Sequence, residues 1–332
     1  LGALGAVGLM RGEFWAKQLS MYNVKQIACA AHIYGQTIVD AESFTCWRHW
    51  RDGPYYLKLL ADQAFIDGLN HITFHTAPHS PTAASLPGFA YHAGTHMSPN
   101  LIWWPMAKPF IDYLSRCSFM LQQGRPVTDV CFFQGDGAPA FHPLAVDYDP
   151  SVRSAGYDYD VVDIRVLLDS MAVRDGRLVL PHGVSYALLV LPERDSIDPA
   201  ALRKISELVR QGATVIGPKP DRSNGLAEYP ECDDQVRAIA DELWGTAGPE
   251  DAHEHRFGGG RESRGRSVDD VLGHHSLPPA FARDGGAART SLSDVHRSTD
   301  PAEIYFIVNN AERWEHVEGH FRVRGRAPEI WD

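Results

Sequence analysis

The chain has 332 residues, of which 44% are hydrophobic and 10% aromatic, so it can bury a large core. At roughly 100–200 residues per domain, this length predicts about two domains. The 31 Lys and Arg residues against 42 Asp and Glu residues give a formal net charge of -11. No basic stripe is present to meet phosphates, so a nucleic acid is excluded as a partner and a neutral or cationic one is favoured.

The cysteines indicate buried free thiols, because they are odd in number, lie mostly in apolar runs and form no CxxC pair. They are Cys29, Cys46, Cys117, Cys131 and Cys232. The first ten residues are apolar but too short to cross a membrane, and no basic residue precedes them as in a signal peptide. We therefore expect a chain that starts inside a domain and has no membrane span, and the compartment stays open.

The first 135 residues alternate predicted helices with short predicted strands. Each helix ends at or near a glycine, and the helices are predicted over 23–35, 55–70 and 107–124. A strand follows each of them, over 37–43, 71–76 and 127–135. This order is typical of an α/β barrel or a doubly wound sheet, in which the loops after the strand carboxyl ends carry the site.

A second α/β unit is predicted to follow, with a compact three-layer pattern around a parallel sheet. Its helices are predicted over 161–171 and 198–212, and its strands over 177–181, 186–192 and 213–217. It contains no GxGxxG fingerprint, so nucleotide binding is not supported.

The C-terminal part of the chain begins with a segment rich in Gly, Arg, His and Asp. Over 247–290 this composition predicts mobile loops. Alternating apolar positions then predict a β-hairpin that begins an antiparallel domain, with Ile304, Phe306 and Val308 in one strand and Val317, Phe321 and Val323 in the other.

Four carboxylates at or just past predicted strands are the candidates for chemistry: Glu13, Glu42 and, more weakly, Asp40 and Asp136. Aromatic neighbours tend to raise a carboxyl pKa through desolvation, unless a cation or several donors hold the group charged. Two such acids facing one cleft suit glycoside hydrolysis, in which one protonates the leaving oxygen and the other activates water or attacks carbon. For each acid taken alone, a helix cap or a surface charge is the alternative.

Histidines mark the strand over 71–76 and the long loop that follows it. His75 and His79 have the HxxxH spacing of zinc ligands, but that spacing brings both to one face only in a helix, which the nearby prolines disfavour. We therefore favour side chains that bind sugar hydroxyls for His75, His79 and His96, with packing as the alternative.

Two adjacent tryptophans close this loop. Trp103 and Trp104 are candidates for an aromatic face on which a sugar ring stacks. Ordinary packing in the core or at its rim is an equal alternative.

Taken together, these segments resemble a known family. Several runs of this sequence resemble, in order and spacing, the catalytic module of the α-L-rhamnosidases of glycoside hydrolase family 106. These runs are "GEFW", "AAHIYGQTIVDAESFT", "LKLLADQAFIDGLNHITFHTAPHSP", "PGFAYHAGTH", "WW" and "YLSRCSFMLQQGRPVTDVCFFQGD". The run "GYDYDVVDIRVLLDSMAVRDGRLVLPHGVSYALLVLP" resembles the α/β domain that follows the barrel in those enzymes, and "EIYFIVNN" with "FRVRGRAPEIWD" resembles the start of their β-sandwich region.

The resemblance implies three domains. Residues 1–145 are expected to form the C-terminal half of a (β/α)8 TIM barrel, and residues 146–246 a three-layer, flavodoxin-like α/β domain. Residues 247–332 are expected to form a loop-rich segment and the start of a β-rich sandwich domain.

The activity that the resemblance implies is the hydrolysis, with inversion, of terminal α-L-rhamnosides of plant or bacterial glycans, assisted by a calcium ion that meets the sugar hydroxyls. Glu42 matches the glutamate of the family motif "AE(A/S)FT", which implies the role of general base. Glu13 matches the glutamate of "EFW", which implies a supporting carboxylate near the calcium and the substrate. Carboxylate and hydroxyl oxygens are both hard ligands that calcium prefers.

One departure from the family pattern concerns the general acid, which the family carries on an earlier barrel strand. Only 12 residues precede Glu13 in this chain. The resemblance therefore implies an isolated fragment without its acid, and losing one member of an acid/base pair costs on the order of 10²–10⁴-fold in rate. The fragment is expected to be nearly inactive, and its full-length parent to be periplasmic or extracellular.

Two alternatives stay open. One is a β-galactosidase-like barrel hydrolase, because such enzymes also place an α/β domain after the barrel. The other is a carbohydrate-binding module without catalysis. The sequence does not determine the oligomeric state.

Overall fold

The computed structural model describes residues 1–16, 22–82, 86–137, 152–153, 155–245, 253–274, 276–284 and 292–331. Within these ranges the chain forms two parallel sheets in succession, with short antiparallel sheets attached to them. In the described residues, no helix has the length and apolar character needed to cross a membrane. All five cysteines are free as predicted; four are buried and Cys117 is partly exposed.

The first sheet contains three parallel strands in chain order, joined by helices. Its elements are β1 (Met10–Trp15), α1 (Tyr22–Tyr34), β2 (Val39–Thr45), α2 (Pro54–Ile66), β3 (His71–Phe74) and α3 (Lys108–Leu121). Short 3₁₀ turns lie at Leu4–Ala6, His49–Arg51 and Trp104–Met106. The helix and strand order matches the predictions for this region, but the described residues do not close a barrel.

The two faces of the first sheet have different neighbours. Gly12 of β1 lies against α1, where an added Cβ would stand 2.9 Å from Cγ1 of Ile27. Since side chains alternate along a strand, Glu13 points away from this helix. Glu13 is in register with Glu42 of β2, which is in register with Thr73 of β3. The three parallel strands therefore present one row of polar side chains on the face opposite α1.

The second sheet has six strands, of which five are parallel and the edge strand β12 is antiparallel. The six strands of this sheet are β5 (Val130–Phe133), β6 (Tyr159–Val162), β10 (Leu188–Val190), β11 (Thr214–Ile216), β12 (His253–Phe257) and β13 (Gly260–Arg264). The same part of the chain also contains the short strands β4 (Arg125–Pro126), β7 (Ala172–Arg174), β8 (Arg177–Val179) and β9 (Ser185–Tyr186). The helices are a π-helix (Val166–Ser170), α4 (Pro199–Arg210), α5 (Glu231–Trp244) and α6 (Val268–His274).

The spatial order of the second sheet is β12-β13-β11-β10-β5-β6, and β7, β8 and β9 form a small antiparallel sheet of their own. The helix predicted over 198–212 is observed as α4, and the Asp198 side chain caps it by accepting hydrogen bonds from the backbone N–H groups of Ala200 and Ala201. The three central strands, β5, β10 and β11, are buried except for the partly exposed Val190, as expected for a parallel sheet covered on both faces.

The last strands form two antiparallel pairs. They are β14 (Phe281–Asp284), β15 (Leu292–Ser298), β16 (Glu303–Asn309) and β17 (Glu318–Phe321). Strand β15 pairs with β16 and also with β4, whereas β14 pairs with β17. The predicted hairpin between the segments around Ile304 and Phe321 is therefore wrong, because alternation of apolar residues identifies strands but not their partners.

Two further predictions require correction. The strand predicted over 127–135 to belong to the first unit is β5, which pairs with β10 and β6 of the second sheet. The helix predicted over 161–171 starts later than predicted, since Val161 and Val162 belong to β6 and the helical residues begin at Ile164. Both errors arise from short apolar runs, which fit a buried strand and a buried helix equally well.

The segment over 247–290 is also more regular than predicted. Its described residues contain β12, β13, α6 and β14. The turn between β12 and β13 uses Gly258, whose φ of +62° lies in the left-handed region. The glycines and charges of this segment thus belong partly to a turn and to an edge strand.

Candidate active site

Glu42 lies on the central strand of the first sheet, near its carboxyl end. The neighbouring residues of β2 are buried, but the Glu42 side chain is 41% exposed. Parallel strands leave their carboxyl ends at one edge, where the following loops form a site. A rigid strand thus holds Glu42, and the Glu42 carboxylate still has access to solvent.

His75 is the immediate neighbour of the Glu42 carboxylate. Its Nε2 atom lies 3.3 Å from Oε1 of Glu42. His75 directly follows β3, and its backbone N–H donates to the carbonyl oxygen of Ser43 in β2, 2.9 Å away. The backbone pairing of adjacent strands therefore positions this imidazole against the acid.

Glu13 lies beside Glu42 on the next strand, at the same level of the sheet. Neighbouring strands are about 4.8 Å apart, so the two carboxylates start from adjacent backbone positions. Two negative charges at this spacing repel each other and favour a cation or a bridging hydroxyl group between them. The pairing of β1 with β2 thus places Glu13 and Glu42 in register on one face of the sheet.

A segment of the long loop extends the first sheet beyond the ends of β2 and β3. The backbone N–H of Gly94 donates to the carbonyl oxygen of Cys46 at 2.7 Å, and that of Thr95 donates to Phe44 at 3.2 Å. The backbone N–H of Met97 donates to the carbonyl oxygen of Thr76 at 2.9 Å. These bonds place the side chains of this segment beside Glu42 and His75.

His96 is the buried histidine of this segment. Its Nε2 atom lies 3.0 Å from Nδ1 of His49, and its ring packs edge-on against Trp50 at a centroid distance of 4.7 Å. Burial lowers the pKa of His96, and the nearby His49 and His75 lower it further. Its surroundings thus disfavour the charged form of His96.

The remaining loop candidates lie apart from this cluster. His79 is exposed, four residues past His75. Trp103 is only 9% exposed and packs edge-on against Phe110 at 6.4 Å, and Trp104 packs against the same core. Of the two interpretations of the tryptophan pair, the geometry favours core packing over a sugar-binding face.

Asp40 lies one layer deeper in the first sheet. Its fully buried carboxylate accepts hydrogen bonds from Arg11, from Nδ1 of His71 at 2.7 Å and from the Thr73 hydroxyl at 3.0 Å. Burial alone would raise the pKa of Asp40, but these bonds outweigh burial and lower it. Asp40 is a charged support beneath Glu42 with no access to a substrate.

Asp136 belongs to a different place altogether. It follows β5 of the second sheet and accepts hydrogen bonds from the backbone N–H of Asp198 and from Nδ2 of Asn224. Burial raises its pKa. Its contacts are those of a loop anchor, and they involve neither Glu13 nor Glu42.

The sequence reasoning missed a set of aromatic side chains at the rim of this site. Trp47 is 53% exposed and lies 5.4 Å from the Trp15 ring and 4.9 Å from the His92 ring, between ring centroids. Tyr91 is 57% exposed and lies edge-on to His75 at 5.4 Å. A signal was present, since Trp15 and Trp47 each follow a candidate acid within a few residues.

The donors for a calcium ion are incomplete in this part of the protein. Across the residues that the structure describes, no group of three or more His, Cys, Asp or Glu side chains could hold a metal ion. Calcium takes six to eight oxygen ligands. The carboxylates of Glu13 and Glu42 alone do not form such a site.

A carboxylate at a strand carboxyl end, with histidines behind it and exposed aromatic rings at its rim, offers a proton acceptor and stacking faces of the kinds that glycoside hydrolysis uses. A rhamnosidase from Novosphingobium sp. PP1Y aligns with a TM-score of 0.85 and 31% identity, over 96% of this chain and 30% of that protein. A β-galactosidase from Bacillus circulans sp. alkalophilus aligns with a TM-score of 0.54 and 10% identity over 91% of this chain and 54% of that protein, which is a likeness of fold alone.

The sequence comparison defines the family. The α-L-rhamnosidase model of glycoside hydrolase family 106 matches residues 5–332, and the chain belongs to this family. A Formosa agariphila protein named "Putative beta-glucuronidase" is 36% identical over 332 residues, which are 99% of this chain and 27% of that protein. The chain thus spans less than a third of these two relatives.

Proposed function

We propose that this chain supplies the general base of an enzyme that hydrolyses terminal α-L-rhamnosides of plant or bacterial glycans with inversion. The observation that carries the proposal is the half-exposed Glu42 carboxylate, oriented by His75 at 3.3 Å. Glu42 takes a proton from a water molecule as the water oxygen bonds to the anomeric carbon. The bond from that carbon to the glycosidic oxygen breaks, and a general acid protonates the departing oxygen.

Glu13 is poorly placed to be that acid. In an inverting pair the carboxyl groups stand roughly 6.5–9.5 Å apart to admit water, whereas neighbouring strands are about 4.8 Å apart. We therefore assign Glu13 a supporting role. The acid is proposed to come from a part of the enzyme outside this chain, which spans 30% of the Novosphingobium rhamnosidase.

Calcium assistance is a second part of the proposal. Glu13 faces the same side of the sheet as Glu42 and offers a hard oxygen ligand there. The other ligands would come from sugar hydroxyls, backbone carbonyls and residues outside this chain. The test is calorimetric titration of the full-length gene product with CaCl2. We expect the Glu13→Gln variant to bind at least tenfold more weakly, and unchanged binding would remove Glu13 from the site.

The name of the Formosa relative raises a second candidate, hydrolysis of a β-glucuronide. A uronic acid carries a carboxylate, which usually pairs with an Arg or Lys side chain. Among the described residues, the ion pair of Glu42 is with His75, and the nearby Arg11 is engaged by Asp40. The two acids, Glu13 and Glu42, would repel a uronate and so favour an uncharged sugar.

A panel of nitrophenyl glycosides separates the candidates. The full-length gene product is assayed on the α-L-rhamnoside, the β-D-glucuronide and the β-D-galactoside, and NMR follows the anomer released first. We expect turnover of the rhamnoside with release of β-L-rhamnose. Turnover of only the glucuronide or the galactoside would overturn the rhamnosidase proposal, and binding without turnover of any of them would favour a non-catalytic module.

A further inference from the structure

Four side chains at the rim of the candidate active site make ring contacts in two groups, which the chain joins at residues 91 and 92. They are Trp15, Trp47, His92 and Tyr91, and we call this set the aromatic row. Trp15 contacts Trp47, and Trp47 contacts His92, with ring centroids 5.4 and 4.9 Å apart. Tyr91 follows in sequence and lies against His75, which contacts Glu42. The row therefore leads from the candidate base outwards.

The exposure of this row sets it apart from other aromatic residues of the same region. Trp47 and Tyr91 are 53% and 57% exposed, whereas Trp103 is 9% exposed and Phe44 is fully buried. Leaving indole and phenol rings in water forgoes the favourable burial of their apolar faces. An exposed set of adjacent rings beside a catalytic carboxylate is typical of a ligand-binding surface.

The ligand that suits the row is amphipathic and flat. A pyranose ring has an apolar face of C–H groups that stacks on an indole, and hydroxyl groups around its edge that hydrogen-bond. The row offers both features, since Trp47 supplies an apolar face while the Tyr91 hydroxyl and the His92 imidazole supply polar atoms.

The height of Trp47 above Glu42 determines which sugar it meets. Glu42 is in register with Glu13, and Thr45, the last residue of β2, is in register with Trp15, two residues further along β1. At about 3.3 Å per residue, Trp47 therefore follows a point roughly 7 Å further along the strand direction than Glu42. Water activated by Glu42 attacks a carbon only about 3–3.5 Å away. Trp47 is thus too far out to face the reacting sugar.

A local irregularity lies near the end of β2, between Glu42 and Trp47. Phe14 pairs with Ser43 but Trp15 pairs with Thr45, so Phe44 is an extra residue on β2. Phe44 has a φ of +66°, in the left-handed region. Such bulges bend a strand and redirect the side chains that follow, and they occur often beside active sites.

We propose that the aromatic row binds the sugar on the leaving-group side, the pyranose that is linked to the terminal sugar cleaved at Glu42. This inference rests on the proposed function, because it takes Glu42 as the catalytic base. Trp47 stacks on the apolar face of that second ring, and Trp15 supports Trp47 from behind. The row thereby selects a glycan with a second pyranose over a glycoside with a small leaving group.

The test compares two substrates of the full-length gene product, α-L-rhamnosyl-glucose and α-L-rhamnosyl fluoride. We expect Trp47→Ala to raise KM for the disaccharide about tenfold, as for the loss of an interface tryptophan, with kcat within about twofold. The KM for the fluoride stays within about twofold. Trp47→Phe gives an intermediate KM for the disaccharide. Trp314→Ala is the matched control, since Trp314 is 93% exposed and lies outside the row.

The opposing outcomes are distinct. An equal rise in KM for both substrates would overturn the assignment to the leaving-group side, and no change for either would remove Trp47 from the site. Circular dichroism and a thermal melt check that each variant folds. If the wild type cleaves neither substrate, the proposed function fails, and calorimetric titration with the disaccharide decides the subsite alone. Binding that is lost in Trp47→Ala supports the row, and binding that persists or is absent in the wild type refutes it.

Discussion

The two parallel sheets of this molecule each carry an acid at the carboxyl end of a strand, and the two acids have different surroundings. In the first sheet Glu42 keeps a 41% exposed carboxylate, and a histidine lies 3.3 Å away. In the second sheet Asp136 accepts hydrogen bonds from the Asp198 backbone and from Asn224. Both acids follow the same local pattern in the sequence. A strand-end position is therefore not enough for chemistry, which also requires oxygen atoms that remain accessible to a substrate.

The largest effect expected from this comparison concerns these two acids directly. Glu42→Gln in the full-length gene product lowers kcat on nitrophenyl α-L-rhamnoside by about 10²–10⁴-fold, because the amide cannot accept a proton from water. Asp136→Asn is the matched control and leaves kcat within about twofold. Steady-state kinetics measures both. A larger loss of kcat in the Asp136 variant than in the Glu42 variant would place the catalytic carboxylate in the second sheet instead of the first.

A smaller effect is expected from His75, which orients Glu42 without touching the reacting carbon. His75→Ala lowers kcat about tenfold with little change in KM, because the carboxylate loses a positioned donor. The double variant with Glu42→Gln should be no slower than Glu42→Gln alone, since the two residues act as one unit. Strictly additive losses would show that His75 acts independently of Glu42.

The smallest effect on activity, but a clear effect on stability, is expected in the second sheet. Glu262 of β13 is fully buried, and burial raises its pKa to about 8, against the lowering effects of Arg264 and Trp244. A carboxyl with a raised pKa in the folded state costs stability as the pH rises from its unfolded value of about 4.5 towards 8. Glu262→Gln removes this cost.

We therefore expect Glu262→Gln to raise the free energy of unfolding at pH 8 by about 1–3 kcal/mol and to change it little at pH 4.5. Urea unfolding at the two pH values measures this difference, and kcat on the rhamnoside serves as the control and stays unchanged. A variant that loses stability equally at both pH values would show that Glu262 is charged and paired in the folded protein.

The sequence predicted much of the local structure and the position of the acids. The three helices of the first unit and the strand of Glu42 were predicted from their periodicity and from the glycines at the helix ends, and they are observed. The pairing of strands was predicted less well. Strand β5 joins the second sheet, because partners such as β10 lie more than 50 residues away and leave no local signal.

The same limit applies to the aromatic residues of the site. Trp103 and Trp104 were candidates for an aromatic face that stacks on a sugar ring, yet Trp103 is buried and Trp104 packs on the same core. Trp47, which follows the buried strand β2, is 53% exposed. Burial depends on which segments pack over a ring, and that is decided by tertiary contacts rather than by neighbouring residues.

The measurement that tests the role of Glu42 most directly is chemical rescue of Glu42→Ala by sodium azide. Azide is a nucleophile that needs no base, so it replaces the water that Glu42 would activate. We expect azide to raise the turnover of nitrophenyl α-L-rhamnoside by the full-length variant and to yield β-L-rhamnosyl azide, identified by NMR. An α-configured azide product, or no rescue in a variant that folds and binds substrate, would contradict the assignment of Glu42 as the base of an inverting enzyme.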